Sequence, residues 1–122
     1  MTTQSIPASR RERYVNQDIS VRLGGLAADL ARVASFIRVL ALPATETMLE
    51  ESRAFIEWTA PDLLPDRVDD AARLVDIQRG LTHWHWIWDE AQNDPAARAK
   101  LADQAQAWSD EVLAMSGLLE QE

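Results

Sequence analysis

The chain has 122 residues, no cysteine and a formal net charge of −8. That length suits one domain, and the lack of cysteine excludes disulfides, thiolate metal sites and a cysteine nucleophile. No apolar run approaches the ~18 residues of a membrane span, and Met1 to Arg13 lack the apolar core of a secretory signal; a soluble, cytoplasmic protein is expected.

The charge is unevenly spread. Residues 1–43 carry six arginines (Arg10, Arg11, Arg13, Arg22, Arg32, Arg38) against Glu12, Asp18 and Asp29, a balance of +3, while the remainder carries six basic against 17 acidic residues, a balance of −11. A body so acidic repels nucleic acid and anionic lipid. Only the cluster Arg10-Arg11-Glu12-Arg13 argues for phosphate contact, and a solubilising tail, or one lying on the acidic body, explains it more simply.

Taken in order, residues 1–15 are polar and aperiodic and read as a flexible arginine-containing arm, with order expected only near Tyr14 and Val15. Residues 16–122 form the single predicted domain. Ile19, Leu23, Leu26, Leu30, Val33, Ile37 and Leu40 recur in alternating steps of four and three, which places them on one stripe of a long helix. Asn16 is its predicted N-cap, and Pro43 its stop. Gly24-Gly25 sits inside it, away from the stripe, at a cost of about 2 kcal/mol relative to alanine. A tolerated bend explains the pair, as does the close approach of another backbone.

A second, short helix is predicted after a cap at Thr45 or Thr47, the latter spaced with Glu50 as a capping box. Met48, Leu49, Ser52, Phe55 and Ile56 line its inner side, and Pro61 ends it. The link between Pro61 and Pro65 should be stiff, with Leu63 and Leu64 plugging the end of the core. A third helix runs from about Asp66 to Gln92, its acidic first turn matching the helix dipole. Leu74, Ile77, Leu81, Trp84, Trp88 and Ala91 form its stripe. Asp94 caps and Pro95 opens a fourth helix, striped by Leu101, Ala105, Trp108, Val112, Met115 and Leu119 and closed near Gly117. No segment alternates as a strand would. The predicted fold is all-α, an antiparallel four-helix bundle with one long N-terminal helix and a short second one.

Two segments, Tyr14-Val15-Asn16-Gln17-Asp18-Ile19 and Gln106-Ala107-Trp108-Ser109 with Met115-Ser116-Gly117-Leu118-Leu119, resemble a small helical family found in cyanobacteria. The resemblance covers about a fifth of the chain and implies a helical fold, with no activity attached to it.

The densest stretch is Leu81-Thr82-His83-Trp84-His85-Trp86-Ile87-Trp88, and helical geometry divides it. Trp84 and Trp88 join the core stripe, whereas Trp86 points the other way, in line with Val68, Ala72, Val75 and Arg79. An exposed apolar line of this kind marks a partner surface, here read as a homodimer or other protein interface, to which Gly24 and Gly25 are added as a site of close approach. His83 and His85 diverge by about 200° and cannot share one ion. His85 with Asp89 offers only two ligands, so neither metal nor cofactor is expected. A pocket lined by Trp84, His85, Trp88 and Asp89 is the alternative, in a bundle that binds a small molecule or catalyses. No phosphate loop, nucleophile elbow or zincin motif is present, and no catalytic residue is assigned. The leading expectation is a non-enzymatic interaction protein.

Overall fold

The structure, a computed structural model, describes residues 7–120. Over that range it is all-helical, without strands: α1 (Ala8–Val15), α2 (Ile19–Arg38), α3 (Leu42–Thr59), α4 (Val68–Ala91) and α5 (Pro95–Ser116), with short 3-10 turns at Ala60–Leu63 and Leu118–Glu120. No described helix is long and apolar enough to cross a membrane.

The helix count therefore corrects the expectation of four. The additional helix, α1, lies in the segment read from sequence as an arm; the first six residues of that segment fall outside the described residues. An eight-residue helix does not hold in water on its own. Tertiary contact holds this one. The Tyr14 ring stacks on Phe55 with centroids 4.0 Å apart, and its hydroxyl donates to the Arg22 carbonyl at 2.9 Å and lies 2.9 Å from the Thr59 hydroxyl. Burial pushes the Tyr14 phenol up to about 12, although the Thr59 hydrogen bond works against the shift.

Helix boundaries moved for local reasons. Asn16 closes α1, its N–H bonding to the Glu12 carbonyl, and Asp18 stands at the start of α2. The long helix stops at Arg38 rather than at Pro43. Its end is a Schellman turn: Ala41 N–H reaches the Phe36 carbonyl at 2.8 Å and Leu40 N–H the Ile37 carbonyl at 3.2 Å. Leu40 takes the left-handed position of that turn, at φ 58°, where glycine is usual. Pro43 belongs instead to the first turn of α3. Thr45 and Thr47 thus sit inside α3, their hydroxyls donating to the Ala41 and Pro43 carbonyls. At α5, Asp94 Oδ1 accepts from Ala96 N–H at 3.0 Å, with Pro95 as the first helical residue.

Helix α2 packs most extensively against α5, and then against α3. Small buried residues permit the close approach: Ala27 and Ala34 on α2, Ala102, Ala105 and Ser109 on α5. Ser109 Oγ crosses that seam to donate to the Ala27 carbonyl at 2.7 Å. Helix α4 meets α5 differently, through bulk set against its absence. Trp108 of α5 lies over Gly80, where an added Cβ would stand 2.6 Å from the indole Cζ2, and it also packs against Trp84 at 5.3 Å between rings. The whole α4 stripe from Leu74 to Ala91 is buried. Arg73 and Glu111 join α4 to α5 at the surface through both carboxylate oxygens. Of the two leucines expected to plug the core, Leu63 does so and Leu64 is exposed. The α5 stripe loses its last member as well, because Gly117 (φ 75°) turns the chain and leaves Leu119 outside.

Candidate functional site

Two regions can meet something other than the chain itself. One is the outer side of α4. Trp86 is 79% exposed, Val68 56% and Val75 41%, and Ala72 and Arg79 are exposed along with them. Their spacing on one continuous helix puts these five on the side opposite the buried stripe. Arg79 Nη1 lies 3.6 Å from Asp76 Oδ1, and the T-shaped contact of His85 with Trp86 is 5.7 Å between rings. Trp84 and Trp88 face inward, whereas His85 and Asp89 are exposed, so the four residues of the expected pocket are not brought together. Trp88 directs its indole N–H to Glu46 Oε1 at 3.2 Å. Among the described residues no three His, Asp or Glu side chains gather as a metal ion would need.

Gly24 serves the chain's own packing rather than the α4 face. A Cβ on Gly24 would stand 2.7 Å from Leu118 Cδ1, so the end of the chain folds against that point. Gly25 looks onto the second region.

That region is a cleft of about 470 Å³ between α1, α2 and α3. Arg10 and Arg13 come from α1, Asp29 and Arg32 from α2, Glu51 from α3, and the stacked rings of Tyr14 and Phe55 give it an apolar wall. Arg10 pairs with Glu51. Arg32 Nη1 donates to Asp29 Oδ1 at 2.9 Å. Asp29 is only 2% exposed, and its second oxygen, Oδ2, is buried with no hydrogen-bond partner. Burial pushes the Asp29 carboxyl up to about 6, against the opposing pull of Arg32 and Arg10. Among the described residues Arg13 makes no ion pair and no side-chain hydrogen bond.

Periodicity could not find this cleft. Asp29 and Arg32 fall outside the apolar stripe of α2, where charges normally meet water, and a helix at residues 8–15 leaves only one buried residue as its signal. The usable sign was arginine density: three of the six N-terminal arginines converge here. Comparison of the chain with protein-family models, with curated proteins and with solved structures finds no match.

Proposed function

We propose that the chain is a non-enzymatic interaction protein that self-associates as a homodimer through the outer face of α4, with Trp86 as the anchor. One observation carries this reading: a tryptophan 79% exposed on a described helix that also presents Val68 and Val75 outward. Burying a tryptophan removes roughly 150–250 Å² from water, at about 25 cal/mol per Å². The line from Val68 to Trp86 runs about 27 Å along the helix, long enough to seed an interface of roughly 800 Å² per partner. Around it Asp69, Asp76, Asp89 and Glu90 supply a polar rim. In this reading α2 to α5 form an antiparallel four-helix bundle with α1 laid across it. Its setting is the cytoplasm, a proposal supported by the absence of cysteine, and its partners are proteins rather than nucleic acid, given the net charge of −8.

Light scattering across a concentration series tests it. The wild type should give twice the chain mass, and Trp86→Asp should give the monomer with helical circular dichroism retained. A wild type that stays monomeric to about 100 μM, far above the dissociation constant of a stable dimer, would overturn the reading.

A further inference from the structure

The charged cleft between α1, α2 and α3 lies apart from the α4 face, and its chemistry calls for a different kind of partner. We propose that it binds a small zwitterion of the free amino-acid class, its ammonium taken by the Asp29 carboxylate and its carboxylate by the Arg13 guanidinium. Three observations converge on this. Asp29 Oδ2 is a buried acceptor without a donor, in a residue that lines the cleft. A buried carboxylate oxygen left so costs roughly 1–3 kcal/mol or more, and an ammonium supplies both the hydrogen bond and the opposite charge. Arg13 lines the same cleft without an ion pair among the described residues, and its planar fork suits a carboxylate. The other charges of the cleft are already spoken for: Arg32 by Asp29 Oδ1, and Arg10 by Glu51.

The walls suit the rest of such a molecule. Tyr14 and Phe55, stacked with 12° between their planes and both buried, close the cleft on its apolar side. Gly25 lines the α2 side, where an added Cβ would meet Phe55 Cε2 only at 4.0 Å, an ordinary contact. The volume of about 470 Å³ falls in the range of small-molecule sites. Asp29 is buried and Arg13 exposed, and their opposite charges set the ligand's orientation. The Asp29 carboxyl, raised to about 6 by burial, shares the cleft with Arg10, Arg13 and Tyr14 from α1, Arg32 from its own helix and Glu51 from α3. Ammonium binding should therefore weaken as pH falls through that value.

Calorimetric titration of the full chain with the common free amino acids to about 10 mM, where even millimolar affinity registers, tests the proposal. Each amino acid that binds is paired with its decarboxylated amine and its deaminated acid. At least one amino acid should bind, and both truncated analogues should bind roughly tenfold weaker or not at all. Asp29→Asn should abolish binding while the protein keeps its helical content, and Arg13→Gln should weaken it roughly tenfold at unchanged stability. Thermal denaturation of each variant separates loss of the site from loss of the fold. Failure of every amino acid to bind would overturn the proposal, as would a deaminated acid binding as tightly as its parent or undiminished binding by Asp29→Asn. Self-association through α4 stands or falls separately on the mass of Trp86→Asp.

Discussion

Helix α2 buries two charged side chains two turns apart, Arg22 and Asp29, and their surroundings are opposites. Arg22, 6% exposed, has its donors placed: Nε bonds the Gln17 carbonyl at 3.2 Å, and Nη1 bonds Asp62 at 2.8 Å and the Trp58 carbonyl at 3.4 Å. It thereby fastens the α1–α2 link and the end of α3 to one point. The Tyr14 ring lies 5.9 Å from its guanidinium carbon, and the Tyr14 hydroxyl bonds its own carbonyl. Asp29 has one oxygen held by Arg32 and the other by nothing. Removing one partner of a buried, satisfied charge is strongly destabilising, whereas a charge left partly unsatisfied itself lowers stability. The same helix face carries a clamp and, two turns on, a receptor.

The comparison breaks most sharply at Arg22. Arg22→Met should cost about 3 kcal/mol, since it strips a buried charge from its partners and leaves carbonyls unpaired, although the half-exposed Asp62 limits the loss. Urea denaturation reads the change, and hydrogen exchange in α1 should rise with it. Asp29→Asn should act in the other direction. The native Asp29 carboxyl titrates near 6 against an ordinary value of 3.8. Below the ordinary value both folded and unfolded chains hold the proton and the residue costs nothing. As pH rises from there to about 6 the unfolded chain releases its proton first, so wild-type stability falls, and the deficit persists above. At pH 8 the variant should therefore be more stable than wild type by about 3 kcal/mol, with the gap closing at pH 4. Lower stability of Asp29→Asn at pH 8 would mean that the carboxylate is satisfied after all.

Tyr14→Phe sharpens the clamp side of the comparison. It removes the two hydroxyl contacts and keeps the stacked ring, and it should cost about 1 kcal/mol without affecting the titration of Asp29. Leu40→Gly lies outside both sites and should stabilise by about 0.5 kcal/mol, the relief of a left-handed leucine less the added freedom of the unfolded glycine. A shift in the thermal midpoint measures it.

The long stripes were readable because burial there follows a period. Ile77, Leu81, Trp84 and Trp88 needed only their spacing, and the outward turn of Trp86 came from the same geometry. The all-helical class and the outward side of α4 were legible for that reason. What escaped were features fixed by contacts distant in sequence. Tyr14 draws α1 into helix through Phe55 and Thr59, more than 40 residues away. That docking encloses Asp29, which no local pattern distinguishes from Asp18. The stop at Arg38 escaped for a local reason: Leu40 occupies a turn position that glycine would have announced.

The Ala27–Ser109 seam has a temporal consequence. Its hydrogen bond spans 82 residues of chain, so the most extensive helix pair joins the first long helix to the last. Closing so long a loop costs about 4 kcal/mol of chain entropy, and contacts of this separation slow folding. During synthesis the side of α2 that meets α5 must wait uncovered until α5 is made. Native structure arrives late and all at once, and until then the growing chain holds its stickiest surface open to whatever chaperone or sister chain is near.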